Sequence, residues 1–208
     1  MEYNKSLFHK KALQLCAIGK ECYDRGWSPA TSSNYSIRFN DDTCALTSSG
    51  KHKGRLQPED ILLVDMQGTS VGLNIGKPSA ETLLHTQLYQ FDKNIGAVLH
   101  THSPNSVMVS EFLGKDVLVL EGWELLKALS GINTHEIKVA VPIFENTQDI
   151  ANLAQQVNDK MQNSHLHAYL IKGHGIYTWG KDLDECFRHL EALESLMSYE
   201  LTRLSLKS

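Results

Sequence analysis

The sequence predicts a single α/β domain, and three observations lead to this prediction. The chain has 208 residues, which is enough to bury a sizeable core within one domain. Hydrophobic residues make up 41% of it and charged residues 21%, an ordinary mixture for a globular protein. Short apolar runs of strand length are interspersed with longer segments of helical periodicity, and we find no internal repeat or low-complexity linker. We therefore expect one domain that spans residues 1–208.

Segments with helical periodicity form the first class of predicted elements. Residues 5–25 place apolar side chains three to four positions apart and end at Gly26, a residue type that commonly terminates a helix. Further helices are predicted from Ser79 to about Phe91, from Pro104 onwards, and over residues 123–131, 147–162 and 182–206. The last of these carries one apolar stripe, and we expect His189, on its polar side, to be solvated.

Short apolar runs form the second class and predict β-strands. They cover residues 35–39, 44–47, 61–65, 95–101, 116–121 and 137–144, and two more lie within residues 167–179. The run at 95–101 lacks polar–apolar alternation, which is typical of a strand buried on both faces. Ser103 and Pro104 follow it and have the residue types of a helix N-cap and a first helical position. We expect this strand to end there and a helix to begin.

Composition excludes several classes of function. A formal net charge of −4 provides no positive surface for nucleic acid. No apolar stretch is long enough to span a membrane, and the first residues lack the apolar core of a signal peptide. The four cysteines form no CxxC pair and do not suggest a disulfide framework. The composition therefore predicts a reduced, cytoplasmic protein with no nucleic-acid or membrane partner.

Two histidines, His100 and His102, stand at the end of the buried strand at 95–101. Alternate residues of a strand face the same side, so both imidazoles point in one direction. Paired imidazoles are suitable ligands for zinc and neighbouring divalent metals. The alternative is a pair of strand-end histidines that form hydrogen bonds with the backbone. A catalytic zinc site usually needs a third protein ligand and an open coordination position.

Several residues compete for the position of third ligand. His174 lies between two glycines in the turn that joins the last two predicted strands, where glycine permits close approach of another group. His85 lies four residues after Glu81 on the same helical face, so this pair could bind a metal or form a surface contact. His135 follows a helix end and could lie in a loop. Spacing alone does not choose among them, although His174 has the most unusual setting.

Three loops in the first half of the chain are rich in small polar residues. They are SPATSSNYS at 28–36, TSSGKHKG at 47–54 and GKPSAET at 76–82. Backbone amides, hydroxyl groups and a lysine can together bind a phosphate, and the third loop adds a helix N-terminus that favours anions. The alternative is that these are ordinary turns and caps, in which the same residue types dominate.

The order and spacing of NYS, TSSGK, KPSAET, AVLHTHS and YLIKGHGIYTWG resemble the class II aldolase/adducin family over about residues 8–200. The HxH pair and the later KGHG are together far more specific than either is alone. The resemblance implies a class II aldolase-like fold, with a mainly antiparallel central sheet flanked by helices. It also implies one Zn²⁺ per subunit and a homotetramer with sites between neighbouring subunits.

The resemblance also implies roles for individual residues. His100 and His102 match the paired zinc ligands of the family, and His174 matches the third ligand. Glu124 matches the acid/base proposed for dehydratases of the family. Glu81 matches the glutamate that related aldolases use as a base or as a metal-associated group.

The three polar loops match regions that hold the substrate phosphate in family members. The matching residues are Ser32, Ser33, Asn34, Ser48, Ser49, Gly50, Lys51 and Ser79. Relatives commonly have Ser-Gly-Asn where this chain has Ser32-Ser33-Asn34. Ser33 either weakens phosphate binding or compensates through its hydroxyl group, and the sequence leaves both outcomes open.

Four further stretches resemble family members that remove water from a methylthio-bearing 2-ketose 1-phosphate in methionine salvage. They are RGWSPATSSNYS, EGWELLKALSG, VPIFENTQDIA and GHGIYTWGKDLDEC. The alternatives are a class II sugar-phosphate aldolase, a pentulose-phosphate 4-epimerase and a non-catalytic adducin-like module. Aldolases and epimerases share the metal site, so local residues do not separate them from dehydratases. Retention of all three matching histidines argues against the non-catalytic module.

Overall fold

A computed structural model describes residues 3–72, 74 and 76–206 of the chain. The predicted domain of 1–208 also includes residues 1–2, 73, 75 and 207–208, which lie outside the described residues. The described residues form one eight-stranded sheet and five α-helices. The helices are α1 (Lys5–Asp24), α2 (Thr82–Phe91), α3 (Pro104–Phe112), α4 (Ile150–Gln162) and α5 (Leu183–Ser205). The strands are β1 (Asn34–Arg38), β2 (Thr43–Thr47), β3 (Ile61–Asp65), β4 (Ala97–Thr101), β5 (Val117–Glu121), β6 (Lys138–Phe144), β7 (Ala168–Ile171) and β8 (Gly175–Gly180).

The strands are arranged in the order β3-β2-β1-β4-β8-β7-β6-β5. Each neighbouring pair is antiparallel except β6 and β7, which run parallel. This confirms the predicted α/β fold with a mainly antiparallel central sheet. The order also brings the start of β1, the ends of β2, β4, β6 and β7 and the start of β8 to the same edge of the sheet.

Helices cover both faces of the sheet, which explains the absence of alternation in β4. Leu99 lies in the core beneath α1, α3 and α5, whereas Val98 lies in a second core beneath α2 and α4. Both side chains are fully buried. Burial of an aliphatic side chain contributes about 1.5–3 kcal/mol, so apolar residues on both faces stabilise the position of this strand. As predicted, Ser103 caps α3, because its Oγ accepts a hydrogen bond from the backbone N–H of Ser106.

Two helices begin later than the sequence predicted. Ser79 does not cap α2; its carbonyl accepts a hydrogen bond from the backbone N–H of Thr82, which forms a separate turn before the helix. α4 begins at Ile150 because Asp149 is its N-cap and accepts a hydrogen bond of 3.1 Å from the backbone N–H of Asn152. Both differences leave additional non-helical residues at the edge of the sheet where the strand ends meet.

The helix predicted over residues 123–131 is wrong in length and type. The structure forms only a 3₁₀ turn, Glu124–Ala128, between Gly122 and Gly131. These two glycines have φ values of +78° and +81°, in the left-handed region that interrupts a right-handed helix. The turn is thus confined to a short segment.

The expectation that His189 is solvated is also wrong. His189 is only 3% exposed, and its Nε2 accepts a hydrogen bond of 3.1 Å from the backbone N–H of Ser130. The helical pattern placed His189 off the apolar stripe of α5, but the segment that follows the 3₁₀ turn covers this position. A side chain off the stripe is exposed only when no other segment packs against it.

In the described part of the chain, each helix is too short or too polar to cross a membrane. Each of the four cysteines, all within the described part of the chain, has a free thiol.

Candidate metal centre and active site

Three imidazoles converge at the edge of the sheet. His100 lies near the end of β4, His102 follows that strand, and His174 lies in the turn between β7 and β8. The Nε2 atom of His102 is 2.8 Å from that of His100 and 3.0 Å from that of His174. The strand alternation that places His100 and His102 on one side therefore directs them towards His174.

Glycines on both sides of His174 make the close approach possible. Gly173 has a φ of +60°, which favours glycine. A Cβ atom on Gly175 would lie 2.1 Å from the backbone oxygen of Thr101, so a larger residue would push β8 away from β4. The turn thus holds His174 against the two histidines of the neighbouring strand.

The carboxylate of Glu81 joins the three imidazoles. Its Oε1 is 3.1 Å from His174 Nε2, and its Oε2 is 3.4 Å from His100 Nε2. Oε2 also accepts hydrogen bonds from Asn34 Nδ2 at 2.8 Å and from the Tyr177 hydroxyl at 3.0 Å. The candidate ligand atoms of Glu81 and the three histidines all lie within 4.8 Å of one another.

The protonation of this cluster favours a bound cation. His100 Nδ1 donates a hydrogen bond of 3.0 Å to the Ile176 carbonyl, so the Nε2 of a neutral His100 carries a lone pair. Burial holds the pKa of His100 well below its usual range and lowers that of His102 to about 3; neighbouring histidines add to both shifts. Neutral imidazoles facing a carboxylate form a donor set that suits a divalent metal such as zinc.

Of the other histidines considered, neither joins the cluster. His85 is fully buried, and its Nδ1 lies 2.8 Å from Ser36 Oγ while its Nε2 forms a hydrogen bond with Asn34 Oδ1. Burial lowers the pKa of His85 to about 3, so it is a neutral residue that orients Asn34. His135 instead lies near Glu124, with 3.4 Å between His135 Nδ1 and Glu124 Oε2.

A cavity of about 250 Å³ opens beside the cluster, with His102, His174 and Glu81 in its wall. Most of the residues predicted to hold phosphate also line it: Ser32, Ser33, Asn34, Ser48, Ser49, Gly50 and Ser79. The three polar loops, which are far apart in sequence, therefore meet around one space. Lys51 is absent from the lining; its Nζ is 2.8 Å from Asp60 Oδ1, and its side chain is 52% exposed.

Lys53, which the sequence analysis did not select, supplies a cation at the cavity wall. This residue is only 1% exposed, and its Nζ donates hydrogen bonds to the carbonyls of Lys51 at 2.8 Å and Thr31 at 3.3 Å. No carboxylate of the described residues forms a salt bridge with it. Burial lowers the pKa of Lys53 to about 8. An oxyanion in the cavity would compensate this buried charge.

Two hydroxyl groups in the cavity wall also have no partner. Ser33 Oγ and Ser48 Oγ are buried, and neither forms a hydrogen bond with another described residue. Ser33 has a φ of +72°, in the left-handed region that glycine adopts most easily. A φ in this region explains why a glycine is well suited to the middle position of the Ser-Gly-Asn pattern. Buried unsatisfied hydroxyls beside a cation are suitable donors for the oxygens of a phosphate.

The loop between β6 and α4 forms another part of the cavity wall that the sequence analysis did not assign. Asn146, Thr147 and Gln148 line the cavity together with Ile150 and Leu153. In the strand order, β6 lies on one side of β4, and β1 and β2, which adjoin the polar loops, lie on the other. The stretch VPIFENTQDIA, which carried part of the family resemblance, was the signal that could have indicated this wall.

Glu124 does not lie with the three convergent histidines of its own chain. Its side chain is 71% exposed and pairs with Lys127, with 2.5 Å between Oε1 and Nζ. Hydrogen bonding to Lys127 lowers the pKa of Glu124. Glu124 borders a second cavity, which is lined by Trp123, Leu125, Lys127, Ala128 and Tyr199. Within one described chain, Glu81 is therefore the carboxylate beside the candidate metal centre.

The arrangement can perform a specific class of chemistry. A divalent cation at the histidines would polarise a carbonyl oxygen, and a nearby carboxylate could accept the proton that becomes acidic as a result. The adjacent cavity, with a buried lysine and unpaired hydroxyls, suits a phosphate group on the same substrate.

Comparisons with known proteins give the family. The model of the class II aldolase and adducin N-terminal domain matches residues 13–201. A methylthioribulose-1-phosphate dehydratase of Alcanivorax borkumensis is 54% identical over 200 residues, which are 96% of this chain and 94% of that protein. The protein of the same name from Pseudomonas aeruginosa is 52% identical over 195 residues, covering 93% of this chain and 94% of the relative.

Solved structures have the same fold at low sequence identity. L-fuculose-1-phosphate aldolase from Thermus thermophilus superposes with a TM-score of 0.75 at 22% identity, covering 96% of this chain and 99% of that chain. A sugar-phosphate aldolase from Thermotoga maritima gives a TM-score of 0.69 at 18% identity, covering 96% of this chain and 97% of that one.

Proposed function

Because the chain belongs to the class II aldolase and adducin family, we propose that it catalyses the dehydration of 5-methylthioribulose 1-phosphate to 2,3-diketo-5-methylthiopentyl 1-phosphate in methionine salvage. Relatives that share 50–54% of its residues over nearly their full length are named for this reaction. The observation that carries the proposal is the convergence of three imidazole Nε2 atoms beside a cavity with an uncompensated buried cation.

We assign one Zn²⁺ per subunit to His100, His102 and His174. The three imidazoles and the facing carboxylate of Glu81 are the donor set that supports this assignment. When bound, zinc supplies Lewis-acid polarisation of a substrate carbonyl. Iron or cobalt also binds imidazole sites, so metal analysis of the purified protein tests the choice of zinc.

The substrate phosphate binds in the part of the cavity that the three polar loops line. Ser32, Ser33, Asn34, Ser48, Ser49, Gly50 and Ser79 surround this part of the cavity. Lys53 Nζ contributes the positive charge, because its described hydrogen-bond partners are neutral carbonyl oxygens. Lys51, which we predicted for this role, is held by Asp60 at the surface. This arrangement fixes one end of the substrate and directs its carbonyl towards the histidines.

Two proton transfers complete the dehydration. A carboxylate removes the proton from C3, which lies next to the polarised C2 carbonyl. The bond between C4 and its hydroxyl oxygen then breaks, and this oxygen takes up a proton and leaves as water. Tautomerisation of the resulting enol gives the 2,3-diketone. A carboxylate that exchanges a proton between these positions typically accelerates a reaction by about 10²–10⁴.

We assign this proton transfer to Glu124 of a neighbouring subunit in a homotetramer, with Glu81 as the alternative. The exposure of Glu124 and its absence from the cluster of His100, His102 and His174 in its own chain support a site completed by a second chain. Mixing tests this directly: His174→Ala and Glu124→Gln subunits, each strongly impaired alone, should regain activity when they are dissociated and reassembled together. Continued inactivity of a verified mixed oligomer would transfer the role to Glu81.

Aldolase and 4-epimerase activity remain the alternatives, because both reactions also act on a phosphorylated sugar beside a metal. The non-catalytic module is disfavoured, since a module needs neither convergent imidazoles nor an oxyanion cavity. We also propose a cytoplasmic location, which the free thiols of all four cysteines support.

Product analysis separates these activities. Zinc-loaded protein is incubated with 5-methylthioribulose 1-phosphate, and the products are identified by mass spectrometry and NMR. Loss of one water supports the dehydratase. Triose phosphate with methylthioacetaldehyde would instead indicate an aldolase, and an isomer of unchanged mass would indicate an epimerase. An unchanged substrate, in protein that also fails to take up metal, would favour the module.

A further inference from the structure

The segment that carries Glu124 has little regular structure of its own. Backbone hydrogen bonds from Leu126 N to Trp123 O at 3.1 Å and from Leu129 N to Leu126 O at 3.0 Å close the two ends of its 3₁₀ turn. Such turns have poor hydrogen-bond geometry and are stable only in short pieces. Contacts with the rest of the chain must therefore determine where Glu124 lies.

Ser130, two residues after the end of this turn, is held through each of its polar groups. Its backbone N–H donates to His189 Nε2 at 3.1 Å, and its carbonyl accepts from His167 Nε2 at 2.8 Å. Its hydroxyl donates to Glu185 Oε1 at 2.8 Å. Arg188 Nε adds a hydrogen bond of 3.0 Å to the carbonyl of Ala128. We name Glu185, Arg188, His189 and His167 the Ser130 clamp.

The two histidines of the clamp have defined tautomers. His189 Nδ1 donates to the Trp179 carbonyl at 2.8 Å, so its Nε2 carries the lone pair that accepts the Ser130 N–H. His167 Nε2 is a donor, because its partner is a carbonyl oxygen. Burial lowers the pKa of both residues, which keeps them neutral. Two buried histidines with opposite tautomers thus bind the backbone N–H and the carbonyl of a single residue, Ser130.

We propose that His189 and His167 are positioning residues of the reaction, which hold Ser130 and thereby direct the turn bearing Glu124. This inference rests on the proposed role of Glu124. Both imidazoles are buried and have lost their hydration in order to bind one serine. A loop with no need for a fixed position could stay exposed to solvent and would need neither histidine. Loops that place a reacting group need such support, because a misplacement of about 1 Å can lower a rate by about 100-fold.

The kinetic test compares His189→Leu with His189→Gln, which keeps an acceptor near the position of Nε2. His189→Leu should lower kcat by about 10–100-fold with little change in KM or zinc content, and His189→Gln should restore much of the loss. Val157→Ala is the matched control, because Val157 is fully buried in the second core and takes no part in the hydrogen bonds of the Ser130 clamp. This variant should lose stability without losing kcat at a temperature where it is folded.

A double variant and hydrogen exchange show whether the effect passes through Glu124. In a Glu124→Gln background, His189→Leu should cause no further loss of kcat, because the group it positions is already absent. An equal loss in both backgrounds would overturn the proposal. Amide exchange in a peptide spanning residues 124–131 should also become faster in His189→Leu, and unchanged exchange would show that no clamp exists. Full turnover by Glu124→Gln alone would instead refute the role of Glu124, whatever the exchange shows.

Discussion

Replacement of Lys53 by Met should have opposite effects on stability and on substrate binding. Lys53 is buried at the cavity wall, and its hydrogen bonds go to two neutral carbonyl oxygens. Methionine has a similar length and no charge. The variant therefore removes the cation that we assign to the substrate phosphate while it retains most of the packing.

The stability effect follows from the lowered pKa of Lys53. Burial lowers this pKa from 10.5 to about 8, so the unfolded chain binds the proton more tightly than the folded chain. The resulting cost to folding is fully present below pH 8, disappears as the pH rises above 10.5, and amounts to roughly 3 kcal/mol. Loss of two hydrogen bonds in the variant offsets about 2 kcal/mol of the gain. We expect a net stabilisation of about 1 kcal/mol, or a Tm higher by about 2–4 °C.

The binding effect has the opposite sign. A hydrogen bond to a charged group contributes about 1.5–3 kcal/mol, so Lys53→Met should raise KM by about 10–150-fold. Inorganic phosphate should also become a weaker competitive inhibitor by a similar factor. Steady-state kinetics and thermal unfolding at pH 7 measure the two effects on one preparation.

Lys51→Met provides the comparison variant, because Lys51 lies in the same loop but is half exposed and paired with Asp60. This exposed ion pair contributes about 0–1 kcal/mol to stability, and Lys51 does not line the cavity, so KM should change by less than about 5-fold. If Lys51→Met raised KM strongly and Lys53→Met did not, the assignment of the phosphate charge to Lys53 would be wrong.

Four further predictions concern the metal, the proton transfer, the phosphate loop and the pH dependence of stability. His174→Ala should lose most of its zinc and its activity together; zinc affinity equal to that of the parent protein would remove His174 from the ligand set. Glu124→Gln should retain zinc but lose about 10²-fold or more in kcat, as measured on metal-quantified protein. Ser33→Gly should raise KM by about 5–10-fold with little change in stability, because relief of the left-handed backbone offsets the added flexibility; an unchanged KM would show that the hydroxyl is not used. Burial raises the pKa of Glu194 from 4.5 to about 7, so its contribution to stability is full below pH 4.5 and is lost as the pH rises through 7. Glu194→Gln should therefore reduce the fall in stability between pH 5 and pH 8 by roughly 3 kcal/mol, as measured by urea unfolding. A pH profile identical to that of the parent protein would contradict this.

Much of the fold could be predicted from the sequence because local patterns determine it. The unbroken apolar run before His100 indicated a strand buried on both faces, and the two cores provide that burial. Ser103 and Pro104 correctly marked the start of α3. The 3₁₀ turn at Glu124–Ala128 could not be predicted from residue periodicity, because glycines with positive φ values limit it on both sides.

The residues of the candidate site that share one strand could be predicted together from the sequence. Residues that only tertiary contacts bring to the site were harder to predict. Alternation along β4 placed His100 and His102 on one side, whereas only the β7–β8 turn brings His174 to them. Lys51 and Lys53 belong to the same loop, and the fold buries one of them beside the cavity and leaves the other at the surface. The assigned roles of these residues remain predictions that the variants above test.

The most direct test of a zinc-dependent dehydration follows one sample by ³¹P NMR, first without metal and then after addition of Zn²⁺. Metal-free protein should leave 5-methylthioribulose 1-phosphate unchanged, and addition of zinc should start its conversion to a single diketone phosphate. Conversion before zinc is added, or the appearance of a triose phosphate, would contradict a dehydration that depends on the three-histidine centre.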